Sequence, residues 1–287
     1  MCDEFIHAGL IEDSRLSRRS FGMMTVAAAA IASTAHAQAA VAERDVEVTT
    51  PDGTCDAVIF HPEGQGTWPA VLIWTDIAGL RPVFRDMGRR LAGQGYVVLV
   101  PNPFYRSAHA PVIDGAFNFG DPEQRNRLFS YRGAMTNEGI DNDAIAYLGF
   151  LDAQAQTNTD AKAGVQGYCM GGSLSFRAAA AVPDRIAAVG SFHGGNGLVT
   201  DEADSPHLLI PRTNATFLVA QAQNNDMQAP QMKENLRAAF AAANKTATVE
   251  VYRGDHGWCV PGGQVYNEPE AERAWAALTA LYNSALV

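Results

Sequence analysis

The sequence predicts an α/β protein: a doubly wound, mostly parallel sheet of about eight strands with helices on both faces. Three observations carry that prediction. Short apolar runs alternate with runs of helical length from residue 69 to the C-terminus. Two of the apolar runs, Pro69–Trp74 and Tyr96–Pro101, are unbroken, as in strands buried on both faces. An alternating pair of segments stands before them, which reads as a hairpin at a sheet edge.

Each element has a local reason. Residues 38–44 read as a loose lead-in. Asp45-Val46-Glu47-Val48-Thr49 alternates apolar and polar; Pro51-Asp52-Gly53 is a turn; Ala57-Val58-Ile59-Phe60 is the second arm. After Pro69–Trp74 comes a loop, Thr75 to Arg81, then a helix from Pro82 to Gln94 stopped by Gly95. Tyr96–Pro101 follows, parallel to the strand before it. Asn102 to Gly133 is rich in Pro, Gly, Arg and aromatics. It is long for a connection, which points to a cap or pocket wall. A helix from Asn137 to Ala155 returns to the short run Ala163–Gln166. Ile186–Phe192, Ala215–Ala220 and Thr246–Tyr252 are further strands, with a helix from Ala229 to Ala243 between the last two. Glu268 to Leu286 closes the chain as an amphipathic helix with Trp275, Leu278, Leu281 and Tyr282 on its apolar stripe. No linker separates two cores, so residues 38–287 read as one domain.

Composition narrows the function. The chain has 287 residues and a formal net charge of −10, and it carries no basic stripe; nucleic acid is a poor partner for such a surface. Residues 1–37 read as a twin-arginine export signal: Ser17-Arg18-Arg19-Ser20-Phe21, an apolar run from Met23 to Ala32, then Ala35-His36-Ala37 before Gln38. The run is too short for a stable membrane anchor. The expected partner of the precursor is the Tat export machinery, and the expected location after cleavage is periplasmic or extracellular. Cys2 would leave with the leader; Cys55, Cys169 and Cys259 remain. A Cys55–Cys259 disulfide is undecided at this level, and no C-x-x-C pair suggests a zinc or dithiol redox site.

The stretch Gly167-Tyr168-Cys169-Met170-Gly171 carries the chemistry. It lies between a strand and a small-residue helical run, Ser173 to Ala181. It fits G-x-S-x-G with Cys for Ser, the nucleophile elbow of α/β-hydrolases. Ligands on such sheets sit at the carboxyl ends of strands. Cys169 follows one strand, Asp226 the next but one, and His256 the last, in the order nucleophile, acid, base. A thiol must become a thiolate to attack. His256 can take its proton and return it to a leaving group. Asp226 would hold the imidazole in one tautomer. Asp255 adjoins His256 too closely to serve as well. The oxyanion donors expected are Met170 N–H and, from the loop after Trp74, Ile77 N–H. His193-Gly194-Gly195 resembles the HGGG motif of lipases but follows a different strand, and reads as a structural turn.

These residues resemble the dienelactone hydrolase (carboxymethylenebutenolidase) family from about residue 45 onward: Thr50-Pro51-Asp52-Gly53-Thr54, the Cys elbow, Asp226 four before Pro230, and His256-Gly257 before a closing helix. The resemblance implies an α/β-hydrolase fold and hydrolysis of an enol-lactone or small ester through an acyl-cysteine, with neither metal nor cofactor. It also implies an acid that restrains the resting thiol, matched by Asp76, and two arginines that hold a substrate carboxylate. Arg106 matches the first of these; the second falls on Val260. Arg81, Arg132 and Arg253 are the other cations at hand, each read first as a solvated surface charge. Two other readings of the scaffold stay open: a non-catalytic small-molecule-binding protein, and a thiol redox sensor.

Overall fold

The computed structural model describes residues 40–287. The leader assigned to residues 1–37 lies outside them. Eight strands form one sheet in the order β1-β2-β4-β3-β5-β6-β7-β8. β1 (Val41–Thr50) and β2 (Gly53–Pro62) make the hairpin; β2 is also antiparallel to β4 (Val97–Pro101). β3 (Ala70–Trp74), β5 (Ala163–Tyr168), β6 (Ile186–Phe192), β7 (Thr216–Ala222) and β8 (Ala247–Tyr252) continue in parallel. This is the expected α/β-hydrolase architecture. The lead-in is shorter than expected, because Val41–Arg44 already pairs with residues 59–62.

Seven α-helices accompany the sheet among the described residues. α1 (Pro82–Ala92) starts on a proline and buries Phe84, Met87 and Leu91, one stripe at helical spacing. It packs against one face with α7 (Glu268–Ala285), over Val71, Ile73, Val98 and Tyr168. The other face takes α3 (Asn137–Asp152), α4 (Met170–Ala181) and α6 (Gln231–Ala242), over Leu72, Trp74, Val165 and Phe217. The alternation of core residues along β3 explains the double winding: neighbours point to opposite faces, and both faces are covered.

The 102–133 excursion is not wholly irregular. Its second half is α2 (Pro122–Gly133), capped by Asp121, whose side chain accepts from Glu123 N–H. Its buried aromatics Phe104, Phe117 and Phe119 pack into the α3/α4 core. A further short helix, α5 (Gln223–Gln228), begins directly at the end of β7.

Candidate active site

β5 ends at Tyr168 and α4 begins at Met170, so one residue makes the whole turn. That residue, Cys169, has φ 54° and ψ −115°. A side-chain-bearing residue held there is strained, and such strain persists only where the surroundings fix it. The flanking glycines show why. A Cβ on Gly167 would lie 1.8 Å from Gly171 O, and one on Gly171 would lie 2.5 Å from Trp74 O. The elbow read from the sequence is therefore present, with its thiol at the start of α4 and 2% exposed.

The close approach of Gly171 to Trp74 and Thr75 brings the loop after β3 against the N-terminus of α4. Met170 N–H opens that helix and so has no intrahelical acceptor. Ile77 N–H meets no protein acceptor among the described residues, while its neighbours Ala78 and Gly79 both bond back to Asp76. The two expected oxyanion donors thus belong to adjoining segments.

His256 lies in the turn after β8, 3% exposed. Its Nδ1 meets Asn225 Oδ1 at 2.8 Å. A carbonyl oxygen only accepts, so Nδ1 carries the proton and Nε2 is left with its lone pair, the form a base needs. Burial, and then the neighbouring His193, hold His256 well below the usual imidazole pKa, so the ring is neutral. Asn224 Oδ1 accepts from His256 N–H at 2.9 Å and anchors the turn.

The side-chain partner of His256 is therefore Asn225 and not Asp226. Asp226 accepts from Lys233 Nζ through both oxygens at 2.7 Å. The reason is helical rotation. α5 starts at Gln223, and successive residues turn by about 100°. Asn225 faces inward, 3% exposed, and Asp226 faces α6. Asp255, set aside from the sequence, accepts from Gln223 Nε2 instead.

His193 was read as part of a turn, but its side chain reaches the backbone of Cys169. Its Nδ1 accepts from Cys169 N–H at 3.1 Å, and its ring centre is 4.8 Å from that of His256, edge to face. The sequence signal was present: a histidine directly after a core strand, next to two glycines.

Arg106 and Asp76 are both committed within the protein. Arg106 donates to Asp52 and to fully buried Asp143, at 2.6–2.9 Å. Asp76 receives Arg81 through both oxygens, at 2.6 and 2.9 Å, and Ala78 N–H at 2.9 Å. Arg81 is not a solvated surface charge: it is 10% exposed and lies over the Phe84 and Phe117 rings, 5.1 and 5.8 Å from their centres. Arg132 donates to Met135 O, and Arg253 is exposed. Val260 is buried and apolar. Cys55 and Cys259 are unpaired thiols in the cores on opposite faces of the sheet, so no disulfide joins them. Burial pushes the Cys55 thiol up to about 12 and Cys259 well above its usual value. Among the described residues, no cluster of three or more His, Cys, Asp or Glu side chains is placed to hold a metal ion.

The model of the dienelactone hydrolase family matches residues 55–286. The chain belongs to the dienelactone hydrolase family. It is a hydrolase of that type. A Salmonella typhi protein named as a candidate carboxymethylenebutenolidase is 25% identical over 249 residues, covering 79% of this chain and 87% of its own. The carboxymethylenebutenolidase of Pseudomonas putida is 26% identical over 135 residues, 47% of this chain and 55% of that one. The fold is shared with the crystal structure of a candidate dienelactone hydrolase from Klebsiella pneumoniae. The TM-score is 0.73 at 22% identity, over 85% of this chain and 99% of that one. The elbow is formed and His256 lies in the turn after β8, while Asp226 pairs with Lys233, Asp76 with Arg81, and Arg106 with Asp52 and Asp143.

Proposed function

We propose that this dienelactone hydrolase relative cleaves small esters or lactones through an acyl-cysteine on Cys169. The observation that carries the reading is Cys169 at positive φ on the elbow, with His193 between its backbone and the ring of His256, a neutral imidazole whose Nδ1–H is fixed by Asn225 and whose buried Nε2 meets no hydrogen-bond partner among the described residues. His256 Nε2 takes the thiol proton as Sγ attacks the carbonyl carbon. The oxyanion that forms is met by Met170 N–H and Ile77 N–H. His256 then gives its proton to the leaving oxygen as the C–O bond breaks. In the second half, His256 takes a proton from water, the hydroxide adds to the acyl carbon, and the thiol leaves with that proton.

The acyl donor is expected to lack a free carboxylate. Arg106 is held by Asp52 and Asp143, Arg81 by Asp76, and Val260 offers no charge. A carboxylate-bearing substrate would have to compete with a protein carboxylate for either cation.

The test is a panel of p-nitrophenyl and lactone substrates with and without a free carboxylate. Cys169→Ala should abolish turnover, and an acyl adduct on Cys169 should appear by mass spectrometry under rapid quench. Turnover surviving in Cys169→Ala overturns the mechanism; a strong preference for carboxylate-bearing substrates overturns the substrate class.

We also propose that residues 1–37 direct export through the twin-arginine route, on the strength of Arg18-Arg19 and the Ala35-His36-Ala37 site.

A further inference from the structure

His193 stands at a position whose local chemistry favours another residue. Its φ is 38°, a conformation glycine adopts freely, and two glycines follow it directly. Its ring is fully buried, and its Nε2 has no partner among the described residues. Nδ1 accepts from Cys169 N–H, so Nε2 bears the proton and that donor is left unpaired. Nor does Cys169 N–H require a second acceptor, since Phe192 O already takes it at 3.0 Å as the last rung of the β5–β6 ladder. Two local costs with no local gain mark a site where function has overridden foldability.

The gain lies in what the ring touches. One edge holds the backbone of the strained nucleophile, and the ring meets His256 edge to face, 4.8 Å between centres. His193 N–H is itself fixed by Ala220 O at 2.8 Å, so the backbone that carries the imidazole is tied to β7. We propose that His193 is a positioning residue of the reaction: it ties the nucleophile's backbone and the base's ring to one rigid support. It does not exchange protons with substrate. This rests on the Cys169–His256 reading above.

Two variants separate the contacts. Asn tolerates positive φ and can place Oδ1 near the position of Nδ1, so His193→Asn keeps the hold on Cys169 N–H and loses the face against His256. His193→Gly relieves the backbone and loses both. The readouts are kcat, KM and the rate of iodoacetamide alkylation of Cys169, each on protein whose fold is checked by circular dichroism. For His193→Asn, the expected result is alkylation within about threefold of the parent and kcat down about tenfold. For His193→Gly, both should fall, kcat by about a hundredfold, with KM within about threefold throughout. A folded His193→Asn with unchanged kcat overturns the proposal, and that variant decides alone if the glycine variant does not fold. Cys169→Ala is the control: if it retains turnover, the parent reading has failed; if it is inactive while the His193 variants keep the parent's kcat, only this inference has.

Discussion

Asn225 and Asp226 are neighbours in the chain with separate partners, His256 and Lys233. A neutral amide can hold the imidazole's tautomer but cannot stabilise its cation as a carboxylate would. Asn225→Ala should therefore free the ring and lower kcat/KM by about 10–100-fold, while Asp226→Asn leaves it within about twofold. If Asp226→Asn is the damaging change, the site works with Asp226 on His256 and the assignment of Asn225 is wrong. His193 makes a second prediction at this scale. Burial brings its pKa down from 6.5 to about 3. The unfolded chain therefore takes up the proton first. The stability contribution is whole above pH 6.5 and is lost as pH falls from 6.5 toward 3, on the order of 5 kcal/mol at the lower end. The urea midpoint should drop between pH 7 and pH 4 by less in His193→Asn than in the parent. An equal drop would place the acid sensitivity elsewhere.

At the scale of elements, the strands set where the chemistry can be and the helices set how it is held. α7 begins at the capping side chain of Asn267, whose Nδ2 also donates to Arg253 O. Glu270 Oε2 accepts from Arg253 N–H, so the His256 turn is fastened to the start of that helix. Behind it, Tyr252 and Trp258 stack at 4.7 Å, with Arg273 over the tyrosine. The hairpin, the excursion and α3 are joined by Arg106, with Asp52 on the β1–β2 turn and Asp143 on α3. Tyr105 Oη donates to the same Asp143 at 2.7 Å. This is an internal tie rather than a substrate clamp. Arg106→Met should cost about 3–5 kcal/mol in urea unfolding, because it leaves the Asp143 carboxylate buried without its counter-charge. KM for carboxylate-bearing esters should stay within about twofold. A large rise in that KM with stability unchanged would restore Arg106 to the substrate site.

For the whole molecule, the proposed twin-arginine leader makes the cellular prediction. Changing both Arg18 and Arg19 to Lys should retain the full-length precursor inside the cell, read by fractionation and immunoblot. Export at the parent level would remove the twin-arginine reading. Under the export proposed above, the thiols would meet oxidants, and the three described are each buried. Cys55 and Cys259 are further protected by the upward push of burial on their pKa, since it is the thiolate that reacts.

The sequence by itself determined the alternation of strands and helices, the elbow with Cys169 at its apex, and His256 after the last strand. All three are local signals: apolar runs of strand length, glycines forced by close backbone approach, and chain order along a parallel sheet. Only the tertiary structure decided that Asn225 rather than Asp226 meets His256, that Arg106 and Asp76 are committed within the protein, and that His193 lies against both Cys169 and His256. Those outcomes depend on where α5 starts turning and on which segments the excursion and the strand ends bring together. A one-residue change of helical phase moves a side chain by about 100°, and it leaves no mark on the composition or spacing of the motif.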